Sequence, residues 1–329
     1  MRNLVARLSK RIQYTLKSFH SDCFFSFSYA LLRVADEAGG RVGLRSLGQY
    51  ARKKKDKWIQ NYLQNNLSSI LDMYKTDTDP GIYQSNAPIW VCWWSGIETA
   101  PDLVKQCINS IYANAKKHPV YLITKENYAE HIEIPKYMLK KVAAGSMGLA
   151  HLSDYIRVKL LAIYGGLWLD ATMFVSHAVP AECFDLPVFT CKGPVGECGY
   201  ISEKRWVTFC LGGWKGNVFY RFLADAFEQY WRSNGYAIDY LFFDHIILSA
   251  YNQIPAIREL LDRIPDNNIH RDDLQAAMNN ALPASEINRI LHPDTALYKL
   301  SWRETYSLVD RNGAPSVYAS FLDHQIRPE

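Results

Sequence analysis

Asp154, Arg157, Asp170 and Thr172 are the residues of this 329-residue chain whose types and spacing suit chemistry on a charged ligand. Side chains alternate along an extended chain, so Asp170 and Thr172 face the same way if a strand runs that far. Two oxygen-bearing side chains there can meet a phosphate-bound cation. Asp154 and Arg157 stand three apart, the spacing of neighbours on one helix face. Plainer readings stand beside these. An i, i+3 pair can be an ordinary surface ion pair, and a carboxylate in a first helical turn is favoured by the macrodipole alone.

The elements that must position these residues are legible between 153 and 172. Ser153 is a good N-cap, Ile156, Leu160 and Ile163 recur at helical spacing, and Gly165-Gly166 ends the helix where glycine takes a positive φ cheaply. Leu167-Trp168-Leu169 predicts a buried strand. Asp170 follows it directly, at the carboxyl end where open α/β sheets bind ligands.

Taken whole, the string Ser153-Asp154, Arg157, Gly165-Gly166 and Asp170-Ala171-Thr172 resembles the sugar-nucleotide motif of retaining GT-A glycosyltransferases. That group includes the yeast outer-chain mannosyltransferases and the clostridial glucosylating toxins, and the nearest resemblance is to bacterial capsular polysaccharide synthesis proteins. Residues 89–101 resemble the group's first strand and following loop, with Trp94-Ser95-Gly96 matching a Trp-X-Gly step beside the nucleotide base. Lys299-Leu300-Ser301-Trp302 is similar to a C-terminal segment that closes over the pyrophosphate. The patch from Asp239 to His245 resembles a region in which an acidic residue faces the sugar or the acceptor.

The resemblance implies an α/β fold: a Rossmann-like GT-A domain with a mainly parallel sheet. It also implies a donor site formed by Trp94, Gly96, Asp154, Arg157, Gly166, Asp170, Thr172, Lys299 and Ser301, with Asp170, Asp244 and Arg157 as its catalytic members. The implied reaction moves a sugar, expected from a UDP-sugar, to a hydroxyl of a glycan acceptor, expected to be lipid-linked, with retention, in capsular or other surface polysaccharide synthesis. The implied cofactor is Mn²⁺ or Mg²⁺ on Asp170 and, weakly, Thr172. A hydroxyl stands where the motif's second aspartate belongs, and these ions prefer carboxylate and water oxygens. Metal dependence is therefore open, with Asp244 or Asp323 left to complete a shell. Two further readings follow from Thr172 and from the N-terminus. One is a nucleotide- or carbohydrate-binding protein that keeps the fold without transfer; the other is a scaffold of a polysaccharide assembly complex.

Composition narrows the setting. A hydrophobic content of 48% over 329 residues supports a full core, partitioned here into a helical extension, 1–80, and a catalytic domain, 81–329. The turn-rich Thr76-Asp77-Thr78-Asp79-Pro80-Gly81 marks the boundary. Seven cysteines with no Cys-X-X-Cys pair argue against a disulfide framework or zinc site and point to the cytoplasm. Residues 1–60 carry 13 Lys/Arg against 4 Asp/Glu. Leu4, Leu8, Ile12, Leu16 and Phe19 form an apolar stripe beside basic residues, and Arg52-Lys53-Lys54-Lys55 form a second basic cluster. That pattern predicts peripheral attachment to an anionic membrane surface, on the inner face of the cell membrane; the alternative is a stripe packed on the catalytic domain. Nucleic acid is not expected as a partner, since no recognition module accompanies the basic region. Asp239 reads as the N-cap of a helix that holds Asp244 at mid-length amid aromatics. His245 is a candidate partner for that carboxylate, or simply faces solvent.

Overall fold

The computed structural model describes residues 19, 21–41, 45–196 and 201–323. The predicted amphipathic stripe therefore lies, apart from Phe19, outside the described residues. Five strands form the central sheet in the order β2-β1-β3-β6-β5, with β1 Ile89–Cys92, β2 Val120–Ile123, β3 Gly166–Leu169, β5 Val188–Thr190 and β6 Cys210–Gly213. β1 pairs in parallel with β2 and β3, while β6 runs antiparallel to both β3 and β5. Four strands thus share one direction and β6 opposes them, the mainly parallel α/β sheet expected from the sequence.

Period-2 alternation divides the core between the two faces of this sheet. Ile89, Val91, Leu167 and Leu169 join one apolar cluster, whereas Trp90 and Trp168 join the other. Helix Asp102–Asn114 covers the first face. Helices Leu149–Tyr164, Val218–Ser233 and Phe242–Gln253 cover the second. A separate two-stranded sheet pairs β4, Met173–Val175, with β7, Leu297–Lys299, in an antiparallel register that sets Met173 opposite Lys299.

Residues 27–74 contribute to the same core as the second face. Tyr29, Ile59, Leu63, Leu71 and Tyr74 belong to the cluster that holds Trp168, Phe227 and Trp231. Polar contacts reinforce the packing: the Tyr74 hydroxyl donates to Asp225 at 2.7 Å, and Gln60 lies 3.2 Å from the ring of His245. The turn at 76–81 is itself tied down, with Arg221 2.7 Å from Asp77.

Three local expectations need correction. The helix ahead of β3 begins at Leu149 after Gly148, so Ser153 lies inside it and caps nothing. Leu149-Ala150-His151-Leu152 are ordinary helix residues, and the glycine before them is the true break. Asp154 therefore falls beyond the first turn, where the macrodipole no longer explains it. The second correction concerns Asp239 and Asp244: Leu241 is the N-cap of the next helix, and Asp244 sits in its first turn. Asp239 instead accepts the Leu241 N–H at 2.8 Å and pairs with Lys55 at 3.3 Å. The third concerns Gly166, read as a donor contact. It lies at the opposite end of β3 from Asp170, with φ +97°, and a Cβ there would stand 2.1 Å from the Pro88 carbonyl oxygen.

Gly166 is thus a packing glycine that lets β1 and β3 close on each other. Gly166→Ala is expected to cost about 3 kcal/mol or more, since both backbone strain and overlap with a main-chain atom must be relieved. Gly96→Ala, at φ +82° and ψ 154° but with open space around it, carries only the backbone strain and should cost less, about 1–3 kcal/mol. Thermal unfolding of the two variants checks this; equal midpoints would contradict it.

Candidate active site

Asp170 lies where β3 stops. Its N–H donates to the Phe209 carbonyl, and its own carbonyl accepts from Met173 at 2.8 Å, so the chain turns into β4 instead of continuing straight. The condition for Asp170 and Thr172 to share a strand face is therefore not met. They are brought together by other means. The Lys299 ammonium, delivered by the β4–β7 pairing, donates to Thr172 Oγ1 at 2.6 Å and to Asp170 Oδ2 at 3.2 Å.

The other oxygen of Asp170 is equally engaged. Oδ1 accepts from Arg157 Nη2 and from Trp168 Nε1, each at 3.0 Å. Trp168 can reach it because residues two apart on a strand share a face. Burial opposes ionisation of Asp170, yet Lys299 and then Arg157 outweigh it and hold the carboxyl below the ordinary carboxylate range. Arg157 is only 4% exposed. Its guanidinium lies over the rings of Trp168 and Phe243, at 4.9 and 5.5 Å, and donates to the Thr208 carbonyl. Asp154 completes the group 3.4 Å from the same guanidinium, one helical turn away. The predicted convergence of Asp154, Arg157 and Asp170 is present.

Asp244 lines the same cavity, of about 420 Å³. Its partner is not His245, which is fully buried against Gln60, with burial lowering its pKa to about 4. Instead Trp206 Nε1 donates to Asp244 Oδ1 at 3.0 Å. Burial, only partly offset by that hydrogen bond, pushes the Asp244 carboxyl up to about 6.

A second cavity of about 330 Å³ adjoins the first, sharing Cys92, Trp93, Ser153, Trp302 and Arg303, and holds Trp94. Both volumes fall in the range of small-molecule sites, roughly 300–1,000 Å³. Trp94 is half-buried and packs on Tyr128 at 5.4 Å. Gly96 forms the turn after it, its N–H donating to the Trp93 carbonyl, and lines neither cavity. Ser301 reaches the first cavity, held by Gln275, which accepts its N–H at 2.8 Å. Asp323 caps the helix Val317–Leu322 and is not among the lining residues. Among the described residues two buried donors of the cleft, Trp93 Nε1 and Arg157 Nε, have no hydrogen-bond partner.

Trp93, Trp206 and Arg303 were not singled out from the sequence. Trp93 was within reach, since it neighbours Trp94. Trp206 was not, because its pairing with Asp244 spans 38 residues.

The expected divalent cation does not fit this donor set. Thr172 Oγ1 and Asp170 Oδ2 are the oxygens it would need, and an ammonium already bridges them. At about 4 Å each unit charge of a metal ion would be opposed by about 4 kcal/mol at an effective dielectric of 20.

The chain is 24% identical over 161 residues to the O-glycosyltransferase braB of Annulohypoxylon truncatum, covering 45% of this chain and 38% of that protein. It is 30% identical over 177 residues to the glycosyltransferase afumC of Aspergillus fumigatus, covering 50% of this chain and 44% of that one. The matched region thus spans less than half the length of these curated relatives. Among solved structures, the PaToxG glycosyltransferase aligns with a TM-score of 0.38 and 15% identity over 76% of this chain and 96% of its own. A family model described as capsular polysaccharide synthesis protein matches residues 45–320, and the chain belongs to that family.

Proposed function

We propose that this chain is a glycosyltransferase that moves a sugar from a nucleoside diphosphate, UDP-sugar being the first candidate, to a hydroxyl of a glycan acceptor. The observation that carries the reading is the Asp154–Arg157–Asp170–Lys299 constellation at the carboxyl end of β3, in a cleft walled by tryptophans. A departing nucleoside diphosphate gains negative charge, so preorganised cations aimed at the phosphates supply the largest share of catalysis. Arg157, Lys299 and Arg303 line that cleft. Arg303 makes no ion pair among the described residues, which leaves it to meet a phosphate. Ser301 is a further diphosphate contact in this reading.

The adjoining cavity beside Trp93 and Trp94 takes the base, and Asp154 takes sugar or ribose hydroxyls. Asp244, whose pKa is near 6, faces the acceptor side. Retention is what the resemblance to retaining GT-A enzymes implies, and in this reading the acceptor hydroxyl attacks on the front face. The leaving phosphate then takes the acceptor's proton.

The acceptor is lipid-linked in this reading, and the protein works at an anionic membrane surface in capsular or other surface polysaccharide synthesis. Arg52, Lys53 and Lys54 are exposed, as are Phe27, Leu31, Leu47 and Tyr50 on the same pair of helices. No helix among the described residues is long and apolar enough to cross a membrane.

Three outcomes test this. Asp170→Asn keeps the volume but not the charge and should lower sugar transfer about 10²-fold or more in a folded variant; full activity would remove the motif from the catalytic centre. For Asp244 the linkage has a definite sign. Its folded pKa lies above the unfolded 3.8, so its burial lowers stability as pH rises from about 4 through about 6. Asp244→Asn should match wild-type stability at pH 4, exceed it by about 1–3 kcal/mol near pH 7.5, and transfer sugar poorly. A pH-independent difference in denaturation midpoint would contradict the assignment. Removing residues 1–20 should abolish binding to anionic vesicles at low salt without unfolding the protein; equal binding by both chains would sink the membrane reading.

A further inference from the structure

We infer that the Lys299 ammonium holds the place of the divalent cation, that Thr172 positions it, and that the donor diphosphate therefore binds here without metal. This rests on the reading of the cleft as a nucleotide-sugar site. The geometry supplies the argument. β7 runs antiparallel to β4, and the register that sets Lys299 opposite Met173 carries its side chain to the turn between Asp170 and Thr172. Nζ then stands 2.6 Å from Thr172 Oγ1 and 3.2 Å from Asp170 Oδ2, with the Phe209 ring centroid at 5.0 Å.

An ammonium has three hydrogens. Two go to Asp170 and Thr172, which leaves the third for a phosphate oxygen. Access agrees: the Lys299 side chain is 25% exposed and lines the cleft, whereas Arg157 beside it is 5% exposed. Charge agrees as well. Asp154 and Asp170 are matched by Arg157 and Lys299, a balance within the four side chains that leaves the diphosphate's own charge to Arg303, which lines the cleft too. A second carboxylate at 172 would tip it toward a divalent ion, and a hydroxyl does not. Thr172 thus accepts a hydrogen bond that aims the ammonium, and is a positioning residue for Lys299.

Isothermal titration of the full chain with UDP, GDP, ADP and CDP, in excess EDTA and in excess MnCl₂, tests the inference without needing a variant to fold. The wild type should bind its preferred nucleotide with Kd values in the two buffers equal within about threefold. Lys299→Met should weaken binding in EDTA by about 30-fold or more, the loss of a charge-assisted contact, while Lys299→Arg keeps most of it. The double variant Thr172→Asp, Lys299→Met should bind far better with Mn²⁺ than with EDTA, because two carboxylates then face one another with no ammonium between them. That change of metal dependence is a response a merely structural lysine would not give. Wild-type binding that vanishes in EDTA and returns with Mn²⁺ would overturn the inference while keeping the donor site. No binding of any nucleotide in either buffer would overturn the donor site, and this inference with it.

Discussion

The site depends on keeping one carboxylate ionised at the edge of an apolar core. Asp170 sits against Trp168 and beside fully buried strands, where burial alone would favour its neutral form. Two cations prevent that, one from the helix just before β3 and one from far along the chain. Each carboxylate oxygen has its own: Arg157 on Oδ1 and Lys299 on Oδ2. The pairing works in both directions, because Arg157 is itself nearly buried and would be costly without a partner. Asp170, Arg157 and Lys299 are therefore one unit, and removing any member leaves an uncompensated charge beside the core.

Most of the fold can be understood as what it takes to assemble that unit. Alternation along β3 sends Leu167 and Leu169 to one face and Trp168 and Asp170 to the other, toward the helix that carries Arg157. The turn after Asp170 launches β4, which pairs with β7, so the C-terminal part of the chain is anchored to the motif through backbone hydrogen bonds. The helices of residues 27–74 brace the opposite side. Lys55 pairs with Asp239, and Gln60 holds His245, immediately beside Asp244. The wall that faces the acceptor in our reading is thereby supported from the N-terminal helices.

What the sequence made legible is the local part of this arrangement. The helix, glycine break, strand and aspartate lie within twenty consecutive residues, and each step is governed by neighbours along the chain. Errors arose where a distant contact decides the outcome. Gly166 enters the donor site through the resemblance of its Gly-Gly step, because the Pro88 carbonyl pressed against it is not visible in the sequence. His245 seemed the natural partner of Asp244 by adjacency, yet successive helical residues point apart, and Trp206 arrives from another segment. Lys299 was picked out as a phosphate contact, but its bridge between Asp170 and Thr172 depends on a strand pairing across more than a hundred residues. The replacement of the motif's second aspartate by Thr172 looked like a defect in a metal site. Beside an ammonium, a hydroxyl is the group that leaves the charges balanced.

The central claim, that the cleft holds a nucleoside diphosphate sugar, is most directly tested by the thermal unfolding midpoint of the full chain across a panel of nucleotide sugars. A ligand that binds only the folded state stabilises it by RT ln(1 + [L]/Kd), about 2.7 kcal/mol at a hundred times Kd. The account predicts that one nucleotide class raises the midpoint by several degrees in a saturable manner. An unchanged midpoint for every nucleotide sugar and free nucleoside diphosphate, at concentrations up to the millimolar range, would contradict it.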